Sequence, residues 1–175
     1  MKFRNLIYTA VFAALCCVTT LSIAIPLPNG FANAGDIMVL LSGICLGPLL
    51  GGLAAALGSA LADIFLGFAL YAPATAVIKF SVALLAALAF RLARRTTTKK
   101  AARLALYGVG CLVAEVVMVV GYFLYETLLY GVAGAAASLL GNTTQGLVCA
   151  FGGLFLISAI SAVRPLARLF PALHD

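Results

Sequence analysis

Apolar residues follow one another in long blocks along this chain, and polar residues collect in the gaps between the blocks. About 20 apolar residues at 1.5 Å rise each cover about 30 Å of hydrocarbon, so such blocks predict membrane-crossing helices. Six are expected, over 5–25, 31–46, 49–68, 74–91, 104–130 and 142–163. Pro26, Pro28, Asn29 and Gly30 separate the first two. The stretch from Phe31 to Phe68 would be about 57 Å long as one helix, nearly twice the hydrocarbon thickness. Gly47-Pro48 and Gly51-Gly52 interrupt it, so it reads as two spans joined by a tight turn. The shorter of these, 31–46, is expected to tilt or to thin the bilayer locally. Tyr71-Ala72-Pro73 precedes the fourth span, a weakly structured small-residue segment from Gly131 to Gly141 is expected before the sixth, and Arg164-Pro165 ends it.

Composition narrows the class. Of 175 residues, 65% are hydrophobic and 9% charged, with mean hydropathy +1.18. Soluble domains carry about 25% charged residues. This balance excludes a soluble enzyme, a coiled coil and a disordered tail, and points to an all-α integral membrane protein with a single domain over 1–175. The start resembles a signal peptide, because Lys2 and Arg4 precede an apolar run. That run continues to Ile25, however, and further spans follow, so it reads as the first membrane helix. The five cysteines sit inside apolar blocks without metal-ligand spacing, which suits buried, reduced thiols.

The net charge of +6 is carried mainly by three clusters: Lys2/Arg4, the linker from Arg91 through Arg94, Arg95, Lys99 and Lys100 to Arg103, and Arg164/Arg168. All flank apolar runs, so anionic lipid headgroups rather than nucleic acid are their expected neighbours. Six spans put all three clusters on one side, which the positive-inside rule makes the cytoplasm, with both termini there. Were 31–68 a single span, the first cluster would face away from the other two.

Five charges remain inside the apolar blocks: Asp36, Asp63, Lys79, Glu115 and Glu126. Ionisable groups within a membrane are costly and are functional candidates for that reason. The expected topology places most of them in the outer half of the bundle, with Tyr71, Tyr122, Tyr125, Tyr130, Asn142 and Gln145. Glu115, Tyr122 and Glu126 fall within about 40° of each other on one helical face, and Asn142 and Gln145 share a face one turn apart. An outward-open polar pocket between helices accounts for this pattern. Other readings stay open at individual positions. Tyr71 and Tyr130 suit an interfacial aromatic belt, Asn142 suits a helix cap, and Asp36 or Asp63 suits a structural pair with Lys79. Gly51/Ala55, Gly52/Ala56 and Gly58/Ala62 in the third span allow close helix packing. Ala10 and Ala14 in the first span have the same spacing and would dock a partner helix if they point outward.

Gly35-Asp36, Gly47-Pro48-Leu49-Leu50-Gly51-Gly52, Gly58-Ser59-Ala60-Leu61-Ala62-Asp63, Tyr71-Ala72-Pro73, Ile78-Lys79, Gly121-Tyr122 and Asn142…Gln145-Gly146 together resemble the substrate-binding S component of energy-coupling factor (ECF) transporters. The resemblance covers nearly the whole chain. It implies a six-helix subunit that captures a vitamin or other micronutrient from outside, assembles with a membrane T component and two cytoplasmic ATPases, and topples to release its substrate inward. ATP would be used by those partners, with no cofactor in this chain. Ala10 and Ala14 would match the face that meets the T component. The implied pocket lies among spans four to six and the loop between spans one and two. Asp36, Tyr71, Lys79, Glu115, Tyr122, Glu126, Asn142 and Gln145 are its expected substrate-binding residues. A pyridoxine- or hydroxymethylpyrimidine-like heterocycle is favoured, with riboflavin and queuosine precursors open. The implied location is the cell membrane of a bacterium.

Two other classes compete. An intramembrane enzyme needs a nucleophile–base pair, a metal cluster or paired carboxylates; His174 in the tail is the only histidine, and there is no GxSxG, HExxH or P-loop. A stand-alone secondary transporter could relay protons through the acids, but no two-half repeat is visible.

Overall fold

The computed structural model describes residues 3–162 and Phe170. Lys2, Arg164, Arg168, His174 and the expected end of the last span at Val163 lie outside the described residues.

Among the described residues the chain forms five helical elements and one small hairpin: α1 Phe3–Ser22, β1 Ala24–Leu27, β2 Gly30–Asn33, α2 Gly35–Leu46, α3 Pro48–Phe65, α4 Ala72–Thr96 and α5 Lys100–Ala162. Four of the helices are long and apolar enough to cross a membrane, and α2 is a shorter apolar helix. The fourth and fifth expected spans are longer in the structure, running on at both ends or starting earlier than 74 and 104.

The region between the first two expected spans differs most. Helix α1 stops at Ser22, and 24–33 form an antiparallel hairpin pairing Ala24 with Asn33 and Leu27 with Gly30. Pro26 and Pro28 have no N–H to continue a helix, and Pro26 is tolerated in a two-stranded edge. Helix α2 begins at Gly35 rather than 31, because the Asn33 side chain accepts the Gly35 N–H at 2.8 Å and turns the chain there. The resulting helix has only twelve residues, about 18 Å, and nine are buried. It packs against α1, α3, α4 and α5. Protein surrounds this short helix, none of whose residues is exposed.

Glycines set the spacing around it. Gly47 has φ +85°, open to glycine and strained for other residues, and Pro48 starts α3 immediately after it. A Cβ on Gly51 would strike the backbone of Ser42 and Gly43 in α2, one on Gly58 the Ala13 carbonyl in α1, and one on Gly52 the Phe80 ring in α4. The small residues of α3 therefore serve internal packing on three sides.

Helix α5 holds the other departure. Its backbone is helical from 100 to 162 except at Gly131 (φ 74°, ψ 169°). Gly108 lies against Leu154, and Gly146 against Glu115. These pairs are nearly equidistant from Gly131, so the two arms fold back antiparallel about it. The small residues from 132 to 141 are helical, not weakly structured, and the break is confined to one glycine. All five cysteines are buried and unpaired.

Candidate functional site

The site grows from the first turns of α4. Tyr71, Thr75 and Lys79, spaced i, i+4 and i+8, share one helical face, and all three are buried. Each meets a polar partner. The Tyr71 hydroxyl reaches Glu126 Oε1 at 3.5 Å, Thr75 Oγ1 shares a 3.0 Å hydrogen bond with the Tyr122 hydroxyl, and Lys79 Nζ donates to both Asp36 oxygens at 2.6 and 2.8 Å. Glu126 and Tyr122 lie one turn apart on the first arm of α5, antiparallel to α4. The Lys79 ammonium also lies 5.3 Å from the centre of the Tyr122 ring, within cation–π range.

Asp36, at the first turn of α2, is fully buried. It receives Lys79 and the Gln145 side-chain amide, so its charge is compensated and both oxygens are hydrogen-bonded. The Gln145 carbonyl in turn accepts the Asn33 backbone N–H at 2.7 Å. Gln145 thus ties the ion pair to strand β2. Asn33 is a junction: beyond its bond to Gly35, its side chain meets Thr20 at 3.4 Å and its carbonyl accepts Cys149 Sγ at 3.6 Å. At the other end of the hairpin, Asn29 Nδ2 donates to the Gly134 carbonyl at 2.6 Å, just past the α5 break.

The hairpin lies across a narrow polar cavity of about 30 Å³, part of it open. Its lining comprises Thr20, Leu27, Gly30, Phe31, Asn33, Ser59, Asp63, Phe68, Tyr71, Thr75, Lys79, Tyr122, Glu126, Asn142 and Gln145. Phe31 meets Phe68 at 5.2 Å between ring centres, Phe68 meets Tyr71 at 6.2 Å, and Tyr71 meets Tyr125 at 5.5 Å. An aromatic chain therefore joins the hairpin to α4 and α5 at one side of the cavity.

Six of the eight expected binding residues, Tyr71, Lys79, Tyr122, Glu126, Asn142 and Gln145, line this cavity. Asp36 and Glu115 do not. Asp36 acts on it from behind, through Lys79 and Gln145. Glu115 is buried against Gly146, with neither carboxylate oxygen hydrogen-bonded among the described residues. Tyr71 is buried in the wall, whereas Tyr130 is 46% exposed, as an interfacial tyrosine would be. Asn142 sits inside a continuous helix and does not cap one. Asp36, not Asp63, pairs with Lys79.

Sequence reasoning passed over Thr20, Asn33, Ser59, Thr75, Phe31 and Phe68 as lining residues. Two carried a usable signal. Thr75 stands midway between Tyr71 and Lys79 at helical spacing, and Asn33 two residues before Gly35 is an Asx-turn pattern. Thr20 and Ser59 carried none, since isolated hydroxyls are common in apolar helices.

On α1, Ala10 and Ala14 are exposed, away from the bundle. Leu6, Val11 and Leu15 are exposed around them.

The fold is an apolar helical bundle enclosing a polar, aromatic-walled cavity. A family model for the ECF-type riboflavin transporter S component matches residues 1–162, and the chain belongs to that family, a family of transporter components. It is 36% identical over 133 residues to an uncharacterized protein in the gap 3' region of Pyrococcus woesei, covering 73% of this chain and 82% of the relative. The solved S component of a bacterial ECF transporter has the same fold: the TM-score is 0.65 at 19% identity, covering 93% of this chain and 98% of that one.

Proposed function

We propose that this chain captures a small heteroaromatic vitamin or vitamin precursor and delivers it inward together with a membrane T component and two ATPase subunits. The observation that carries this reading is the polar cavity beneath the hairpin, in a chain of the S-component family. Its chemistry suits a flat polar ring. Tyr71 and Tyr122 offer faces for stacking, while Lys79, Glu126, Asn142 and Gln145 offer donors and acceptors to ring nitrogens and hydroxyls. A single ring of the pyridoxine or hydroxymethylpyrimidine type is the first candidate. A flavin is the second, and family membership favours testing it alongside.

In the membrane we place six crossings, counting the two arms of α5 separately, with both termini and the basic linker inside and the hairpin outside. Two features support this arrangement. The antiparallel arms return the chain at Gly131, and Arg91 stands beside Gly47 at the end of the bundle opposite the hairpin. Ala10 and Ala14 form the proposed contact with the T component, since small outward residues permit close helix approach.

The experiment has two parts. Purified chain is titrated with pyridoxine, 4-amino-5-hydroxymethyl-2-methylpyrimidine and riboflavin, and cells expressing it are assayed for uptake with and without the ATPase subunits. Binding by the chain alone and uptake only with the ATPases are expected. Proton-driven uptake by the isolated chain would instead establish a secondary transporter. Ala10→Leu/Ala14→Leu should abolish uptake and spare binding, and equal loss of both would remove the docking role.

A further inference from the structure

The charges of the cavity do not balance, and the imbalance bears on what it accepts. Lys79 is the one cation among the described lining residues, and Asp36 neutralises it through both oxygens. An ammonium has three N–H donors, so Lys79 keeps one for the cavity but brings no net charge. Two acids in the lining remain. Asp63 and Glu126 are 4% and 3% exposed, and Asp63 Oδ2 and Glu126 Oε2 have no hydrogen-bond partner among the described residues. The other oxygen of Glu126 receives a long contact from Tyr71, and the Ser138 and Asn29 side chains stand near the same carboxyl. A carboxylate oxygen held out of water without a donor is unfavourable, and two on one cavity repel an incoming anion.

We propose that the cavity selects ligands bearing a positive charge or N–H donors toward Asp63 and Glu126, with an acceptor toward Lys79, and rejects anionic and phosphorylated forms. Such a ligand supplies the missing donors to both carboxylates, and those bonds are charge-assisted. The discrimination is sharp because an analogue lacking the donor leaves buried acceptors unpaired. This inference rests on reading the cavity as the substrate site.

Matched ligands test it in the purified, intact chain. Pyridoxamine, pyridoxine and 4-pyridoxic acid form one series, and riboflavin and flavin mononucleotide form another. The amine should bind at least about tenfold more tightly than the carboxylate, the ratio of one charge-assisted hydrogen bond, and flavin mononucleotide should bind more weakly than riboflavin by a similar factor. Glu126→Gln and Asp63→Asn should each narrow these ratios to within about threefold. Either variant suffices should the other fail to fold, as judged by a monodisperse elution profile. Equal binding of amine and carboxylate, or ratios unchanged in a folded variant, overturns the charge selection while leaving a heteroaromatic site in place. Absence of binding by every member of both series overturns the heteroaromatic reading, and the charge inference falls with it.

Discussion

The cavity has two kinds of buried acid. Behind its lining, forming a floor, Asp36 is completely enclosed yet fully served, by Lys79 and by Gln145. Along its walls, Asp63 and Glu126 are nearly as buried, but each keeps an oxygen without a partner. Both kinds are expensive to hold in an apolar bundle, and the difference lies in what offsets the cost. The floor is offset inside the protein, so it behaves as structure that positions one ammonium and one amide. The walls keep an unpartnered oxygen on each acid among the described residues, which under the proposed function a ligand would meet.

The largest expected effect would break the floor. Lys79→Met leaves Asp36 buried with no counter-charge, and losing one member of a buried pair costs about 3–5 kcal/mol. Thermal unfolding in detergent should show that loss, and Asp36→Leu/Lys79→Met should recover most of it. A double variant as unstable as the single would mean that the pair is not the structural unit described. Next comes Gln145→Leu, which strips the Asn33 N–H and one Asp36 oxygen of their partner, about 1–3 kcal/mol. Hydrogen exchange should rise over 24–33 and stay unchanged in α3. Uniform change in both would separate the hairpin from the floor.

The walls should respond in the opposite sense. Glu126→Gln removes a charge with an unserved oxygen and should shift stability by less than about 1 kcal/mol, while reducing binding of pyridoxamine at least about tenfold. A strongly destabilised Glu126→Gln protein would place Glu126 with the floor. The smallest stability effect is expected far from both regions. Ala10→Leu adds an exposed methyl-rich side chain on α1 and should change stability by no more than about 0.5 kcal/mol, with capture of the T component as the readout that moves.

Much of this was legible along the chain because a bilayer imposes a coarse rule: apolar residues must be continuous where lipid is met, and polar ones must be excused. Tyr71, Lys79, Tyr122, Glu126, Asn142 and Gln145 stood out as polar interruptions of apolar helices, and the cavity gathers all six. The same rule misplaced what lipid does not touch. Residues 23–25 and 31–33 are apolar enough to extend the flanking helices, yet 24–33 form a hairpin packed over a polar cavity. The small residues after Gly131 looked too weak for a helix, yet 132–141 are helical, because alanine and leucine, both strong helix formers, dominate them.

The sequence by itself determined the solvent, the positions of the basic clusters and the short list of polar residues, because each follows from local composition and the cost of charge in hydrocarbon. Which acid Lys79 holds was decided only by the tertiary structure. Asp36 and Asp63 lie 43 and 16 residues away from it along the chain, and separation carries no information about the pairing. Helix α2 is short and central enough to bring Asp36 to 2.6 Å from the ammonium. Asp63 stays on the cavity wall beside Thr75, with one oxygen unpartnered among the described residues.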